Sequence, residues 1–209
     1  MALLILSAVS GTGKSTVSRR LLRTRRNLAL SVSHTTRSPR PGEVDGIHYH
    51  FITKENFQER VAQGEFAEWA EYVGHFYGTS KATIADASAS GLDLLFDIEI
   101  QGAALLKDAY PDAVSCFLLA PSWIELRRRL ENRGTDDEAA VARRLARGRR
   151  ELESAQAFDY LVVNAHLGET VAQLIQILET SKYRCADRRH LVEKLVNEAA
   201  AEASLTSRD

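Results

Sequence analysis

A short segment near the amino terminus, residues 3–16, constrains the fold more than any other part of the chain. Residues 3–6 form an apolar run that is typical of a buried parallel strand. A loop of small residues follows and ends in Gly11-Thr-Gly-Lys-Ser-Thr16, after which apolar residues recur at helical spacing. A strand, a glycine-rich loop and a helix in this order predict a phosphate-binding loop, or P-loop.

The residue types in this loop indicate its chemistry. Glycines let the backbone curl so that successive N–H groups face an anion, and the positive end of the next helix adds to the attraction. Lys14 can reach the β- and γ-phosphates of ATP, and the Ser15 hydroxyl can ligate Mg²⁺. The alternative is a glycine turn before a surface helix. The predicted ATP-binding residues here are Ala8, Val9, Ser10, Gly11, Thr12, Gly13, Lys14, Ser15 and Thr16.

Ala8 departs from the full motif, which has glycine at this position. If the position requires a positive φ, the alanine methyl group costs on the order of 1 kcal/mol and slightly reshapes the loop. It removes neither Lys14 nor Ser15, so we still expect the loop to bind phosphate.

The composition narrows the class of protein. The 209 residues suit one α/β domain with insertions, and the net charge of −1 gives no global field that selects nucleic acid or an anionic membrane. The apolar start is too short to span a bilayer and lacks the features of an export signal. Cys116 and Cys185 form no metal-binding pattern and suit a reducing compartment. We therefore expect a cytoplasmic protein with no nucleic-acid or membrane partner.

The pattern of residue types changes at residue 33 and again at residue 81. Residues 33–46 are polar, with two prolines and two glycines, and predict a loop; residues 47–52 alternate and predict a short strand, and 66–77 are rich in aromatic residues and predict a hairpin. From residue 81, strands alternate with helices, which predicts a mainly parallel sheet with helices on both faces. The predicted parts are a P-loop core (1–32, 81–122 and 153–209), a small mixed α+β insertion (33–80) and a helical lid (123–152).

Asp97 is the candidate partner of Ser15 in a metal site. It follows three apolar residues at the end of a predicted strand. P-loop proteins place at this point the acid that helps to hold Mg²⁺. We predict Ser15 and Asp97 as Mg²⁺ ligands; the alternative is a carboxylate that caps a neighbouring helix.

Two arginines in the proline-rich loop, Arg37 and Arg40, indicate a second phosphate site. Guanidinium groups on a stiff loop form a fork that fits phosphate, and Tyr49 and Tyr77 could add hydroxyl donors. Either arginine alone would be an ordinary solvated charge. Together, beside an ATP site, they predict a phosphorylated acceptor.

Glu68 and Glu99 are the carboxylates that could recognise the base of such an acceptor. Guanine presents N1–H and N2–H₂ side by side, and one carboxylate accepts both hydrogen bonds. Adenine lacks this pair of donors, and a buried carboxylate left without donors is costly, so the site would reject the wrong base. The spacing alone does not favour this interpretation over the alternative, in which both residues are ordinary surface acids.

A basic stretch between residues 127 and 150 has three interpretations. It is a solvated helix face, an RNA-binding helix, or a lid that brings one or two arginines onto the transferring phosphoryl group. The arginines are Arg127, Arg128, Arg129, Arg133, Arg143, Arg144, Arg147, Arg149 and Arg150.

Taken together, these motifs resemble a bacterial single-domain guanylate kinase from Ile5 to about Lys182. The resemblance rests on residues 33–46 (Ser-His-Thr-Thr-Arg-Ser-Pro-Arg-Pro-Gly-Glu-Val-Asp-Gly), Tyr49, Glu65-Phe-Ala-Glu68-Trp, Tyr77-Gly-Thr79, Asp97-Ile-Glu99-Ile-Gln101-Gly102, Arg133-Gly-Thr, Arg144-Leu and Val162-Val-Asn164. It implies a P-loop NTPase core, a GMP-binding insertion at 33–80 and a lid. It also implies the reaction MgATP + GMP → MgADP + GDP in purine nucleotide metabolism, with dGMP as an open alternative acceptor.

The resemblance also assigns roles. Lys14, Arg37, Arg133 and Arg144 would be catalytic, and Asn164 would lie near the adenine of ATP. The implied GMP-binding residues are Ser33, Arg37, Arg40, Tyr49, Glu68, Tyr77, Thr79 and Glu99.

The chain departs from the family pattern at a few positions. Ala8 and Val9 replace Gly-Pro, Glu99 replaces Asp, Phe76 replaces Tyr and His166 replaces an acid. Three rival functions stay open: a guanylate-kinase-like binding module without activity, a kinase for another phosphorylated acceptor, and RNA binding through the basic stretch.

Overall fold

The computed structural model describes residues 1–132, 138–183 and 191–197. Strands and helices alternate along most of the chain, and residues 191–197 are also helical. The elements in chain order are β1 (Leu3–Ala8), α1 (Lys14–Thr24), β2 (Leu28–Leu30), β3 (His34–Thr35), β4 (His50–Phe51), α2 (Lys54–Ala62), β5 (Phe66–Tyr72), β6 (His75–Ser80), α3 (Lys81–Ala89), β7 (Asp93–Asp97), α4 (Ile100–Ala109), β8 (Val114–Leu119), α5 (Trp123–Glu131), α6 (Glu138–Glu153), a 3₁₀ turn (Ser154–Ala157), β9 (Tyr160–Val163) and α7 (Leu167–Ser181).

The main sheet has five parallel strands in the order β2-β7-β1-β8-β9. Side chains of the central strand β1 alternate between its two faces. Leu4 and Leu6 pack with α1 and α7, whereas Ile5 packs with residues of α3 and α4. The predicted α/β fold with helices on both faces is confirmed, because continuous apolar strands need cover on both sides.

A second, smaller sheet is formed by residues of the predicted insertion. Its order is β4-β3-β6-β5, with β3 and β4 parallel and the other pairs antiparallel. Phe57 of α2 is buried against one face, where its ring stacks on Phe66 and Phe76. This aromatic cluster gives the small sheet a core of its own.

Two expectations for this region need correction. Residues 33–46 are not entirely loop, because His34 and Thr35 pair with Gly78 and Tyr77 of β6. The strand expected at 47–52 is reduced to His50–Phe51. Both differences arise because such short strands are defined by pairing with distant residues, which a local pattern does not reveal.

Helices α5 and α6 follow β8 and pack against each other. Ser122 caps α5, since its hydroxyl accepts a hydrogen bond from the N–H of Glu125 at 3.1 Å. Leu130 of α5 packs against Val141 and Leu145 of α6. Among the described helices, none is long and apolar enough to cross a membrane.

Candidate active site

The P-loop has the conformation that its glycines predict. Gly11 and Gly13 have φ values of +93° and +100°, in the left-handed region, and α1 begins at Lys14. Gly11 also lies close to α5, since a Cβ at this position would be 2.8 Å from the Leu130 side chain. Gly11 is therefore required both by the turn of the backbone and by the helix behind it.

Ala8 does not strain this loop. It is the last residue of β1, where it pairs with Leu118, and only 6% of its surface is exposed. In the described part of the chain, Val73 is the only non-glycine residue with a positive φ. The condition under which the methyl group would cost free energy is therefore not met.

Side chains from outside the loop hold its backbone in place. The Thr12 carbonyl accepts hydrogen bonds from Asn164 Nδ2 at 2.8 Å and from Arg129 Nη1 at 3.0 Å. Arg129 also donates to the Asn164 carbonyl at 3.1 Å. Asn164 is 8% exposed and supports the P-loop from behind, and its expected contact with adenine stays a prediction.

Lys14 and Asp97 face each other across the mouth of the loop. The Lys14 ammonium forms an ion pair with the Asp97 carboxylate and donates to the Ile98 carbonyl at 3.1 Å. Asp97 is the last residue of β7, and Lys14 follows the loop that leaves the neighbouring parallel strand β1, which explains why residues 83 apart in sequence meet. The predicted metal ligand and the predicted phosphate-binding lysine thus share one site.

The arginine loop is organised around a glutamate. Both carboxylate oxygens of Glu43 accept from Arg37 Nη2 at 2.9 Å, and one also accepts from the Arg40 N–H at 2.8 Å. Burial alone would raise the pKa of Glu43, but these donors outweigh it and the pKa is lowered. Glu43 is therefore ionised and holds Arg37 at the cavity wall.

Two tyrosines complete this part of the wall. The rings of Tyr49 and Tyr77 meet edge to face with centroids 5.9 Å apart, and the Arg37 guanidinium lies 5.4 Å from the Tyr49 ring centroid. Burial, assisted by Tyr77 and Asp97, raises the pKa of Tyr49 to about 12. Its hydroxyl is therefore a hydrogen-bond donor at neutral pH, which suits an anionic ligand.

The two candidate base-recognition carboxylates differ in environment. Glu68 on β5 is 7% exposed, and burial raises its pKa to about 7, although Thr79 opposite acts in the other direction. Gly102 lies beside it, since a Cβ there would be 3.3 Å from Glu68 Oε2. Glu99 is exposed. The interpretation of both as surface acids is therefore wrong for Glu68.

One cavity of about 960 Å³ joins these groups. It runs between the P-loop and the small sheet, and helix α6 contributes to one wall. The predicted residues that line it are Ala8, Val9, Ser10, Gly11, Gly13, Lys14, Ser15, Ser33, Arg37, Arg40, Tyr49, Glu68, Tyr77, Asp97, Glu99 and Arg144.

A few predicted residues do not line this cavity. Thr12, Thr79 and Asn164 are buried behind its walls, and Thr16 faces solvent on the first turn of α1. Arg133 lies outside the described residues. A contiguous motif contains such residues because adjacent positions on a strand or helix point in different directions, and only some of them face the cavity.

Several residues of the site had no predicted role. Glu43 lies inside the arginine motif, and its position three residues after Arg40 was the sequence feature that could have indicated its pairing with the arginines. Arg129 was one of nine arginines without a feature to single it out. Tyr72, Arg147 and Glu151 line the cavity from β5 and α6, and no local pattern connects Tyr72 with Arg147, which lies 75 residues later in the sequence.

Comparison with known proteins identifies the family. The guanylate kinase family model matches residues 1–181. The guanylate kinase of Sphingopyxis alaskensis is 45% identical over 183 residues, which cover 87% of this chain and 83% of that protein. The guanylate kinase of Symbiobacterium thermophilum is 42% identical over 199 residues, 95% of this chain and 94% of that one.

A solved structure agrees with these relatives. The crystal structure of guanylate kinase from Anaplasma phagocytophilum superposes with a TM-score of 0.75 at 32% identity, and the match covers 92% of this chain and 94% of that one. The chain belongs to the guanylate kinase family.

Proposed function

We propose that this member of the guanylate kinase family transfers the γ-phosphoryl group of MgATP to GMP and releases ADP and GDP. The observation that carries the proposal is the single cavity lined by Lys14 of the P-loop, Arg37 of the arginine loop and the buried Glu68. Its lining residues come from both the phosphate-binding loop and the proposed acceptor site. We further propose that the reaction serves purine nucleotide metabolism in the cytoplasm.

The acceptor half supports GMP as the substrate. Arg37 and Arg40, with the Tyr49 and Tyr77 hydroxyls, would bind its phosphate through charge-assisted hydrogen bonds. Glu68 would accept from guanine N1–H and N2–H₂ when ionised. Because its carboxylate is buried, a base without two adjacent donors would leave it unpaired. This penalty disfavours AMP, CMP and UMP, and favours GMP over another phosphorylated acceptor.

The P-loop half supports ATP as the donor. Backbone N–H groups between Gly11 and Ser15 would surround the phosphates, and Lys14 would balance charge on the γ-phosphoryl group during transfer. Arg144 lines the same cavity from α6 and would act from the lid side. No protein group becomes phosphorylated in this scheme, so catalysis depends on alignment of two nucleotides and on exclusion of water.

Magnesium fits the donors at the loop. The Ser15 hydroxyl and the Asp97 carboxylate are hard oxygen ligands, and both line the cavity next to Lys14. Mg²⁺ typically takes only one or two protein oxygens, with phosphates and water as the remaining ligands. When bound, Mg²⁺ neutralises phosphate charge and orients the chain of phosphates.

The proposed parts of the chain are the P-loop core (1–32, 81–122 and 153–209), the GMP-binding insertion (33–80) and the lid (123–152). The second sheet with its own aromatic cluster supports the separate insertion. Helices α5 and α6, which pack on each other through Leu130, support the lid.

A coupled assay of ADP release tests the proposal. The purified protein should form ADP with MgATP and GMP, and give little signal with AMP, CMP or UMP. Lys14→Ala should lower kcat by about a thousandfold or more, since it removes charge stabilisation specific to the transition state. Lys81→Ala, which changes an exposed lysine outside the cavity, is the matched control. Binding of GMP without turnover would instead support a binding module.

A further inference from the structure

Helix α6 touches the acceptor insertion through a contact that the proposed chemistry does not use. Arg147 Nη1 donates a hydrogen bond to the Tyr72 hydroxyl at 2.7 Å. The same guanidinium lies 5.4 Å from the centroid of the Tyr72 ring. Tyr72 is the last residue of β5, so the contact joins the lid helix to the hairpin that carries Glu68.

The next residue of α6 touches the P-loop. Gly148 is buried, and a Cβ at this position would lie 2.6 Å from Val9 Cγ1. A glycine inside a helix costs about 1 kcal/mol relative to alanine, but here it allows Val9 to approach the helix backbone. Two consecutive residues of one helix therefore contact the two opposite halves of the cavity.

Two acids of the cavity, Glu99 and Glu151, act electrostatically on the same region as Arg147. Glu151 lies one turn further along α6 and lines the same cavity as Glu99. Burial and the Glu99 carboxylate raise the pKa of Glu151, while Arg147 opposes this shift. Arg147 thus offsets the repulsion between two acids at the point where α6 approaches the insertion.

We propose that Arg147 and Tyr72 are a positioning pair, which holds the acceptor insertion at a fixed distance from the P-loop before nucleotides bind. The proposal rests on the proposed function, since its kinetic effect requires GMP as the acceptor. Because Gly148 seats α6 against Val9, the hydrogen bond from Arg147 fixes the hairpin relative to the same loop. An insertion held in this way binds GMP without first having to be ordered.

Four variants test the pair: Tyr72→Phe, Arg147→Gln, the double variant and Arg147→Lys. Each of the first two should raise KM for GMP about fivefold, the effect of one hydrogen bond to a charged group. Their kcat and KM for ATP should stay within about twofold, as should the urea midpoint of unfolding. The double variant should be no worse than either single variant, since both break one contact. Arg147→Lys, which keeps a charged donor, should recover part of the loss.

Arg149→Gln is the matched control, because it removes an exposed arginine of the same helix that does not line the cavity. It should leave KM for GMP unchanged. If Arg147→Gln is harmful and Tyr72→Phe is not, or if their effects multiply, Arg147 acts on the nucleotide itself and the pair is overturned. Unchanged KM values in both single variants also overturn it.

Hydrogen exchange of the nucleotide-free protein separates this proposal from the proposed function. Loss of the pair should speed exchange of backbone amides at residues 66–80 in Tyr72→Phe and Arg147→Gln, but not in Arg149→Gln. Equal exchange in all three overturns the pair, whether or not the wild type makes ADP. Faster exchange with no GMP-dependent turnover supports the pair and counts against the proposed function alone.

Discussion

The two halves of the cavity are lined by different chemical groups. The P-loop half is mainly backbone, and it is fixed by hydrogen bonds from Asn164 and Arg129 to the Thr12 carbonyl. The acceptor half is mainly charged side chains that pair with each other, such as Arg37 with Glu43. A backbone that is fixed by hydrogen bonds from neighbouring side chains presents its N–H groups to a ligand without rearrangement. A set of paired side chains has to exchange or share its partners when a ligand arrives.

This difference determines what each half does well. Arg37 uses Nη2 for Glu43 and Nη1 for the Ser38 carbonyl at 2.6 Å, so a phosphate must compete with or join these acceptors. Such competition lowers the affinity for weakly charged ligands and favours a dianionic phosphate. We therefore expect the acceptor half to supply selectivity and the P-loop half to supply transition-state stabilisation.

Arg37→Gln should break the acceptor half with the largest effect. The arginine side chain is largely buried at the cavity wall, and its loss removes the proposed charged partner of the acceptor phosphate. We expect kcat/KM for GMP to fall about a thousandfold, equivalent to about 4 kcal/mol, with KM for ATP little changed. Steady-state kinetics with each nucleotide varied in turn measures both values.

Arg60→Gln is the control for that experiment. Arg60 lies in the same insertion but pairs with Glu65 at the surface, outside the cavity. Loss of a surface ion pair should change stability by less than about 1 kcal/mol and leave kcat/KM unaltered. An equal loss in both variants would mean that the insertion, not the phosphate site, is damaged.

Glu68→Gln should show how much the buried carboxyl group of Glu68 lowers the folding stability at neutral and higher pH. The folded-state pKa of Glu68 is raised from 4.5 to about 7, so between these pH values the folded protein retains a proton that the unfolded chain has lost. Stability must therefore fall as pH rises through this window, by up to about 3 kcal/mol, and glutamine removes this dependence. Urea unfolding of both proteins at pH 5 and pH 8 measures the difference. Parallel pH profiles would show that Glu68 is not the group responsible.

Local sequence pattern was sufficient for the P-loop half. A run of apolar residues, a loop of small residues and an amphipathic helix each have a period or composition of their own, and β1 and α1 follow from them. The meeting of Lys14 with Asp97 also follows, because parallel strands end at the same edge of a sheet. Buried strands and glycine turns are determined mainly by adjacent residues.

The acceptor half was predictable only in part. Most of its residues were proposed from their chemistry, and Ser33 and Thr79 were added by the family resemblance. Their arrangement depends on contacts between distant segments. The strand β3 exists because it pairs with β6 about 40 residues away, and Glu68 is approached by Gly102 of α4, a residue distant in sequence. The pairing of Arg37 with Glu43 and of Arg147 with Tyr72 has no sequence period at all. Side-chain pairs of this kind are set by tertiary packing.

Gly148→Ala tests how closely helix α6 of the lid packs against the P-loop. Alanine should stabilise a helix by about 1 kcal/mol, but its Cβ would overlap Val9, so we expect a net loss of about 1–2 kcal/mol in unfolding free energy. Adding Val9→Ala should recover much of this loss, because it removes the overlapping methyl groups. Gly168→Ala in α7, where a Cβ meets nothing within 4 Å, is the matched control and should be neutral or stabilising. Stabilisation by Gly148→Ala would mean that α6 is free to move away from the P-loop.

Ala8→Gly should have the smallest effect, and it tests whether the P-loop half is as fixed as its contacts indicate. Ala8 lies in a paired strand without a positive φ, so the glycine of the common motif relieves no strain here. It removes a buried methyl group and adds chain entropy to the unfolded state, a loss of about 1 kcal/mol in stability. Turnover should stay within about twofold, because Asn164 and Arg129 still hold the loop. A large gain in kcat would contradict this, and would mean that the alanine distorts the loop during catalysis.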